Sequence, residues 1–175
     1  MELLTFGHGT LDQAALVALV RRARLARVVD VRSVPKSRTH PWSSGEAMQR
    51  WIPDEGGAQY LWERDLGGFR TALPTSHHTG LRHPAFRGYA DYMETERFSS
   101  ALERLVGALL NGRTAIMCSE TLWWKCHRRL ISDAAALLHG VDVRHIMAKG
   151  QLQPHVLTAG VRREGHSLRY DGTAA

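Results

Sequence analysis

The chain has 175 residues, of which 43% are hydrophobic and 23% are charged. This length suits one domain with a buried core, and the composition is that of a globular protein rather than a disordered one. No apolar run approaches the roughly 20 residues that a membrane-spanning helix needs. Lysine and arginine outnumber aspartate and glutamate by 23 to 17, a net charge of +6. The excess favours an anionic partner, and the alternative is a basic surface that aids solubility.

The first residues and the cysteine content bear on localisation. Residues 1–4 lead directly into a strand-like run, without the basic stretch or small-residue cleavage site of an export signal. Two cysteines, Cys118 and Cys126, are too few for a disulfide framework. We therefore expect a cytoplasmic, reduced setting and no membrane attachment.

Strands and helices alternate along the first 150 residues. Short apolar runs predict strands at residues 3–6, 28–32, 60–62, 114–117 and 141–146. Apolar residues three and four positions apart predict helices at about residues 10–24, 43–53, 86–93, 98–110 and 126–140. Capping boxes at Thr10 and Ser43 begin the first two helices. The alternation predicts an α/β fold with three layers, in which helices cover both faces of a mostly parallel sheet of about five strands.

The domain organisation follows from these elements. We expect residues 1–150 to form a single α/β domain and residues 151–175 to form a C-terminal extension packed on that domain. The extension contains weak strand signals at residues 155–157 and 167–170. Residues 71–84 form the one long irregular stretch, and such loops in compact domains are usually functional or mobile.

Side chains capable of chemistry follow the predicted strands. Ligands of parallel sheets bind beyond the carboxyl ends of the strands. We therefore expect one pocket to contain the residues that end these strands or begin the next helix, namely His8, Asp30, Arg32, Cys118, Glu120 and Arg128.

The segment from Cys118 to Arg128 is the densest group of reactive side chains. A thiol between a strand and a helix N-terminus feels the helix dipole and nearby cations, which lower its pKa. We therefore predict that Cys118 is a nucleophile and the more reactive thiol, while Cys126 packs against the following helix. Arg128 would hold an oxyanion, and Glu120 would orient a base or a guanidinium. Alternatively, both cysteines are small, half-buried residues without reactivity.

A metal site is a second interpretation of the same segment. Cys118, Cys126, His127 and His8 offer two sulfurs and two imidazoles. However, seven residues separate the cysteines, which does not match the short spacing of a structural zinc knuckle. The sequence therefore predicts no metal site, and it does not indicate a cofactor.

Arginines and tryptophans supply groups that bind phosphates and rings. A guanidinium matches the geometry of phosphate and carboxylate, and an indole in a loop stacks on a base or closes the top of a core. Asp30 is either catalytic or simply holds Arg32 in place. The predicted catalytic residues are Cys118, Glu120, His8 and Asp30, and the predicted substrate-binding residues are Arg32, Arg38, Arg128, His127, Trp123 and Trp124.

Several motifs together resemble the domain-of-unknown-function 488 family. In chain order they are Thr5-Phe6-Gly7-His8, residues 30–38 beginning Asp30-Val31-Arg32, Leu66-Gly67-Gly68, residues 89–93, and Cys118-Ser119-Glu120 with Cys126-His127-Arg128. They cover roughly residues 3–147. The resemblance implies a small α/β bacterial or archaeal domain with no established biochemical activity. The chain departs from the family at residues 122–125, where the family has a more acidic, proline-containing segment.

A fainter likeness is to rhodanese-type sulfurtransferases. In these enzymes too, a strand ending in Asp-x-Arg precedes a strand that ends in a cysteine, followed by an arginine-bearing turn and a helix. Asp30, Arg32, Cys118 and Arg128 follow that order here. The loop after Cys118 is longer than the tight cradle of that fold, so the likeness is one of arrangement.

The sequence therefore predicts a cysteine-dependent enzyme with an anion site at the carboxyl ends of the strands. Its partner would be a phosphate-bearing small molecule, a nucleotide or a nucleic acid. One alternative is a non-catalytic nucleic-acid-binding module, whose affinity would fall steeply with salt concentration. Another is a redox sensor that uses Cys118 and Cys126.

Overall fold

The structure, a computed structural model, describes residues 1–172 and is built around a six-stranded sheet in the order β3-β2-β4-β1-β5-β6. The strands are β1 (Glu2–Gly7), β2 (Arg27–Asp30), β3 (Gln59–Trp62), β4 (Thr114–Cys118), β5 (Asp142–Ile146) and β6 (Leu152–Pro154). The first five strands are parallel, and β6 pairs antiparallel with β5. The predicted α/β fold with a mostly parallel sheet is confirmed, with one more strand than expected.

Helices cover both faces of this sheet. They are α1 (Gln13–Arg22), α2 (Gly45–Trp51), α3 (Pro84–Met93), α4 (Glu96–Ala108) and α5 (Arg128–His139). Neighbouring strand residues point to opposite faces: Leu3 packs in the core that contains Tyr89 of α3, and Leu4 packs in the core that contains Leu16 of α1. The three layers follow from this alternation. Within residues 1–172, no helix is long and apolar enough to cross a membrane.

The first two helices begin later than predicted. The N-cap of α1 is Asp12 and that of α2 is Ser44, and each side chain accepts a hydrogen bond from the backbone N–H three residues ahead. The capping boxes predicted at Thr10 and Ser43 are therefore wrong. A capping side chain must directly precede the first helical residue, and Ser43 instead belongs to a short 3₁₀ turn, where its hydroxyl donates to the carbonyl of His40.

The C-terminal residues pack on the α/β unit. Besides β6, they form an antiparallel hairpin of β7 (Val161–Glu164) and β8 (Ser167–Tyr170), and Leu168 and Tyr170 are buried in the core beside α3 and α5. The prediction placed a strand at residues 155–157, whereas the structure has a strand, β6, at Leu152–Pro154. Residues 173–175, the end of the predicted extension, lie outside the described residues.

Candidate active site

A cleft of about 1010 Å³ lies at the carboxyl ends of β1, β2 and β4. Its wall includes His8 after β1, Arg32 after β2, and Cys118 at the end of β4. The segment before α5 and the first turn of α3 also line the cleft. This volume is at the upper end of the range for small-molecule sites, roughly 300–1,000 Å³.

Backbone hydrogen bonds align the three strand ends. The sheet pairing continues beyond β1 and β2, because the His8 N–H donates to the Cys118 carbonyl at 3.0 Å and the Val31 N–H donates to the Met117 carbonyl at 2.9 Å. The loop after β4 then crosses the end of β1 so closely that a Cβ atom at Gly7 would overlap its backbone. Glycine at this position therefore allows the loop to cover the strand end.

Arg32 is held by groups behind the wall of the cleft. The Asp30 carboxylate is fully buried and accepts hydrogen bonds from the Arg32 Nε at 2.9 Å and from the Tyr60 hydroxyl at 2.7 Å. The Arg32 Nη1 donates to the Ser43 carbonyl at 2.8 Å. Asp30 therefore positions and neutralises Arg32, and it does not itself line the cleft. The donors of Arg32 are largely occupied within the protein, which leaves few for a substrate anion.

His8 is a neutral imidazole in the wall of the cleft. Burial, together with the positive charge of Arg32, lowers the pKa of His8 to about 4. Its Nε2 lies 3.4 Å from the Arg32 Nη1, a donor, so Nε2 is the acceptor and the proton of the neutral ring resides on Nδ1. That Nδ1 is buried without a hydrogen-bond partner among residues 1–172.

Cys118, Cys126 and His127 meet at the floor of the cleft, with their sulfur and ring-nitrogen atoms all within 4.8 Å of one another. The His127 Nε2 lies 2.9 Å from the Val31 carbonyl, which can only accept, so Nε2 carries the proton. The lone pair of the neutral ring is then on Nδ1, 3.6 Å from the Cys126 Sγ. Burial lowers the pKa of His127 and favours this neutral form. A thiol, a base and a group that orients the base are thus in place.

Arg128 is buried directly behind Cys126, with 1% of its surface exposed. Its Nε donates to the Cys126 Sγ at 3.4 Å, and its Nη1 donates to the Thr5 Oγ1 at 3.4 Å. Its Nη2 donates to the carbonyls of Glu120 and Thr121. None of these partners within the described chain is a carboxylate. The Cys126 sulfur is therefore the one partner that can carry a negative charge.

The contact with the Arg128 guanidinium favours Cys126, rather than Cys118, as the thiol that ionises. The neighbouring Cys118 thiol and then the charge of Arg128 lower the pKa of Cys126 to about 6. The same interaction with Cys126, together with burial, raises the pKa of Cys118. These contacts favour Cys126, whereas the reactivity predicted for Cys118 stays a prediction that thiol labelling can test. The cations and the helix N-terminus act most strongly on the residue next to them, and Cys126 stands two residues before Arg128.

The other predicted residues are spread over the surroundings of the cleft. Glu120 lines it, and its carboxylate accepts a hydrogen bond from the backbone N–H two residues ahead, which fixes the loop. Trp124 lines it and is 40% exposed. Trp123 is buried away from it, stacked on His145 with ring centroids 4.0 Å apart. Arg38 is exposed and lies outside its lining.

Sequence reasoning missed three residues at the mouth of the cleft. Lys36 and Lys125 are exposed in its lining. Phe69 is 94% exposed and has a positive φ of 58°, a strained conformation for a residue with a side chain. Two adjacent glycines precede Phe69, and such a pair is a sequence signal of an unusual backbone. In the structure, Gly68 packs so tightly on His127 that a Cβ atom would lie 2.9 Å from the His127 Nδ1.

Together these features define an α/β protein with a cysteine-containing cleft at the carboxyl ends of parallel strands. A family model described as "Domain of unknown function DUF488" matches residues 12–135, and the chain belongs to this family. Searches of the curated proteins and of the solved structures found no match. The matched span contains the Asp30 and Cys118 motifs, whereas His8 precedes it. The likeness to rhodanese-type sulfurtransferases gains no support from these comparisons.

Proposed function

We propose that this chain is a cysteine-dependent enzyme in which Cys126 is the nucleophile and the cleft binds a phosphate-bearing substrate. The observation that carries the proposal is the buried Arg128 guanidinium, whose Nε contacts the Cys126 sulfur and which has no carboxylate partner within the described chain. An uncompensated buried charge costs several kcal/mol. A thiolate at Cys126 removes that cost, so the cation and the nucleophile stabilise each other.

The arrangement supports a two-step displacement. The Cys126 thiolate bonds to the electrophilic atom of the substrate, and the leaving group departs with the electron pair of the broken bond and takes a proton from solvent. Water then hydrolyses the covalent intermediate, and the new bond to oxygen releases the thiolate. The lone pair of His127 Nδ1 takes the proton of that water and returns it to solvent.

The mouth of the cleft favours a substrate with both a ring and a phosphate. Lys36 and Lys125 are exposed in the lining of the cleft and supply positive charge there. Phe69 and Trp124 line the same cleft and are exposed aromatic side chains. Aromatic side chains stack on nucleobases with about 1–3 kcal/mol per base. The class of substrate is therefore a nucleotide, either free or within a nucleic acid.

Iodoacetamide labelling with peptide mapping tests the proposal. Cys126 should label first, with a pH midpoint near 6, and Cys118 should label slowly below pH 8. Adenosine monophosphate and a short single-stranded oligonucleotide should each slow the labelling of Cys126, and the more protective of the two identifies the form of the substrate. A Cys126→Ser variant that keeps its fold should still bind the protecting ligand, because the variant lacks only the nucleophile.

Three results would overturn the proposal. One is faster labelling of Cys118. Another is one zinc ion per purified chain, with Cys126 labelling only after chelation, because Cys118, Cys126 and His127 could then be three metal ligands. The third is oligonucleotide binding that falls steeply with salt and leaves the labelling of Cys126 unchanged, which would indicate a nucleic-acid-binding module.

The proximity of the two sulfurs favours a second function, redox sensing. A hydroperoxide would oxidise the Cys126 thiolate to a sulfenic acid and be reduced to its alcohol. The Cys118 thiol would then attack that sulfur, forming a disulfide and releasing water. Stoichiometric peroxide should yield a species 2 Da lighter that a Cys118→Ser variant does not form. Unpaired, overoxidised Cys126 in the wild-type chain would contradict this function.

A further inference from the structure

A buried series of hydrogen bonds extends from Arg128 to the C-terminal residues, and the function proposed above does not use it. Thr5 Oγ1 lies 2.7 Å from His145 Nδ1, and His145 Nε2 lies 3.0 Å from His155 Nδ1. His155 Nε2 lies 2.9 Å from Asp133 Oδ1. We call the four residues Thr5, His145, His155 and Asp133 the relay. At its near end, Thr5 accepts a hydrogen bond from Arg128.

The relay joins four separate parts of the fold. Thr5 lies on β1, His145 on β5, Asp133 on α5, and His155 directly after β6. All four side chains are buried. Asp133 is fixed in turn by the Tyr170 hydroxyl at 3.1 Å and by the Thr158 N–H at 3.0 Å, while Trp123 stacks on His145.

One direction of hydrogen bonding satisfies every member. The Asp133 carboxylate only accepts, so His155 Nε2 carries a proton and His155 Nδ1 accepts. His145 Nε2 then donates to His155, and His145 Nδ1 accepts from the Thr5 hydroxyl. Burial, together with His155, lowers the pKa of His145 to about 3, which keeps the ring neutral. The lone pairs of the Thr5 oxygen remain for the N–H of Arg128.

We propose that the relay is a positioning device that holds Arg128 against Cys126, so that the C-terminal segment sets the reactivity of the thiol. The guanidinium donates Nη1 to Thr5 and Nε to the Cys126 sulfur, and because it is planar, fixing the first bond fixes the direction of the second. Thr5 depends on His145 and His155 for its own orientation. The inference rests on the proposed role of Cys126.

Two matched pairs of variants test the relay. Thr5→Val has nearly the same shape but loses the acceptor for Arg128, whereas Thr5→Ser keeps the hydroxyl. His155→Ala breaks the relay farther away, whereas His155→Gln keeps a donor for Asp133 and an acceptor for His145. The readout is the pH midpoint of Cys126 labelling by iodoacetamide in chains shown to be folded by circular dichroism.

Thr5→Val should raise the midpoint by about one pH unit, which is a tenfold smaller thiolate fraction at acidic pH and corresponds to one lost charge-assisted hydrogen bond. His155→Ala should raise it by about half a unit. Thr5→Ser and His155→Gln should retain the wild-type midpoint. If Thr5→Val does not fold, the His155 pair decides.

A wild-type midpoint for His155→Ala and for any folded Thr5→Val would overturn the inference, because a merely structural network would lower the melting temperature without moving the titration of Cys126. A wild-type chain in which Cys126 already labels with an ordinary midpoint, near 8.5, would instead refute the proposed function. The two failures are therefore distinguishable.

Discussion

Two arginines are buried beside the same cleft, and they are neutralised in different ways. Arg32 is paired with the Asp30 carboxylate, with nitrogen and oxygen atoms 2.5 Å apart. Arg128 contacts carbonyls, one hydroxyl and the Cys126 sulfur, and no carboxylate within residues 1–172. Arg32 therefore stabilises the end of β2 with a charge that is already compensated. The charge of Arg128 instead lies against the Cys126 sulfur, the nucleophile in the proposed function.

Proximity to a cleft does not by itself make an arginine a ligand for substrate. Arg32 lines the cleft, yet its hydrogen-bond donors are occupied by Asp30, Ser43 and His8. Arg128 does not line the cleft, yet its Nε donates to the sulfur of Cys126, the proposed nucleophile. In the function proposed above, Lys36 and Lys125 in the lining of the cleft would therefore bind the substrate phosphate.

The largest expected effect is the loss of the ion pair at Arg32. Asp30→Asn removes the charge that neutralises a buried guanidinium, so the free energy of unfolding should fall by about 3–5 kcal/mol. Urea denaturation followed by tryptophan fluorescence measures the change. A loss below about 1 kcal/mol would mean that Arg32 is compensated by other groups, and the contrast with Arg128 would not hold.

Arg128→Met tests the other side of the comparison. Without the guanidinium, the pH midpoint of Cys126 labelling should move from about 6 towards the unperturbed value of about 8.5. The stability of this variant should fall less than that of Asp30→Asn, because the change removes a buried charge and leaves none unpaired. Arg32→Met is the matched control and should leave the midpoint unchanged. Equal midpoints in wild type and Arg128→Met would show that Arg128 does not activate the thiol.

Each arginine also has a neutral histidine close to it, which predicts sensitivity to acid. The pKa is lowered to about 4 for His8 and to about 3 for His145, mainly by burial. Both values lie below the unfolded value of about 6.5, so the unfolded chain binds protons first as the pH falls. The unfolding free energy should therefore decrease by about 3 kcal/mol between pH 6.5 and pH 5.

Urea titrations at several pH values measure this slope, and His8→Gln should make it shallower. The His8 site and the His145 site can be separated in this way, since His8 responds to Arg32 and His145 to His155 and Arg128. An unfolding free energy that rises on acidification over this range would contradict the assignment of both rings as neutral.

The sequence predicted the location of the site better than its chemistry. Apolar runs such as residues 3–6 and 114–117 identify buried strands, and the parallel topology then brings His8, Arg32 and Cys118 to one edge. Strand alternation also places Cys118 on the same face as Ile116, in the core that contains Cys126 as well.

Contacts between distant segments could not be read from the sequence. The partner of Cys126 depends on which way the Arg128 side chain runs, and that direction is set by Thr5, more than 100 positions away. His145 and His155 likewise gain their roles only when β5 and β6 pair. Local patterns specify elements and their ends, whereas the state of a titratable group depends on burial and on neighbours that the fold supplies.

The smallest expected effect concerns Tyr60, whose hydroxyl belongs to the compensated side of the comparison. Burial, followed by the neighbouring Asp30 carboxylate, raises the pKa of Tyr60, so the hydroxyl remains a donor to Asp30 at ordinary pH. Tyr60→Phe removes that hydrogen bond and keeps the ring, and the unfolding free energy should fall by about 1 kcal/mol. Because Arg32 still pairs with Asp30, the pH midpoint of Cys126 labelling should not change. A midpoint that moves by half a unit or more would show that the two arginine sites share one electrostatic network, and the separation between a structural and a functional arginine would then be wrong.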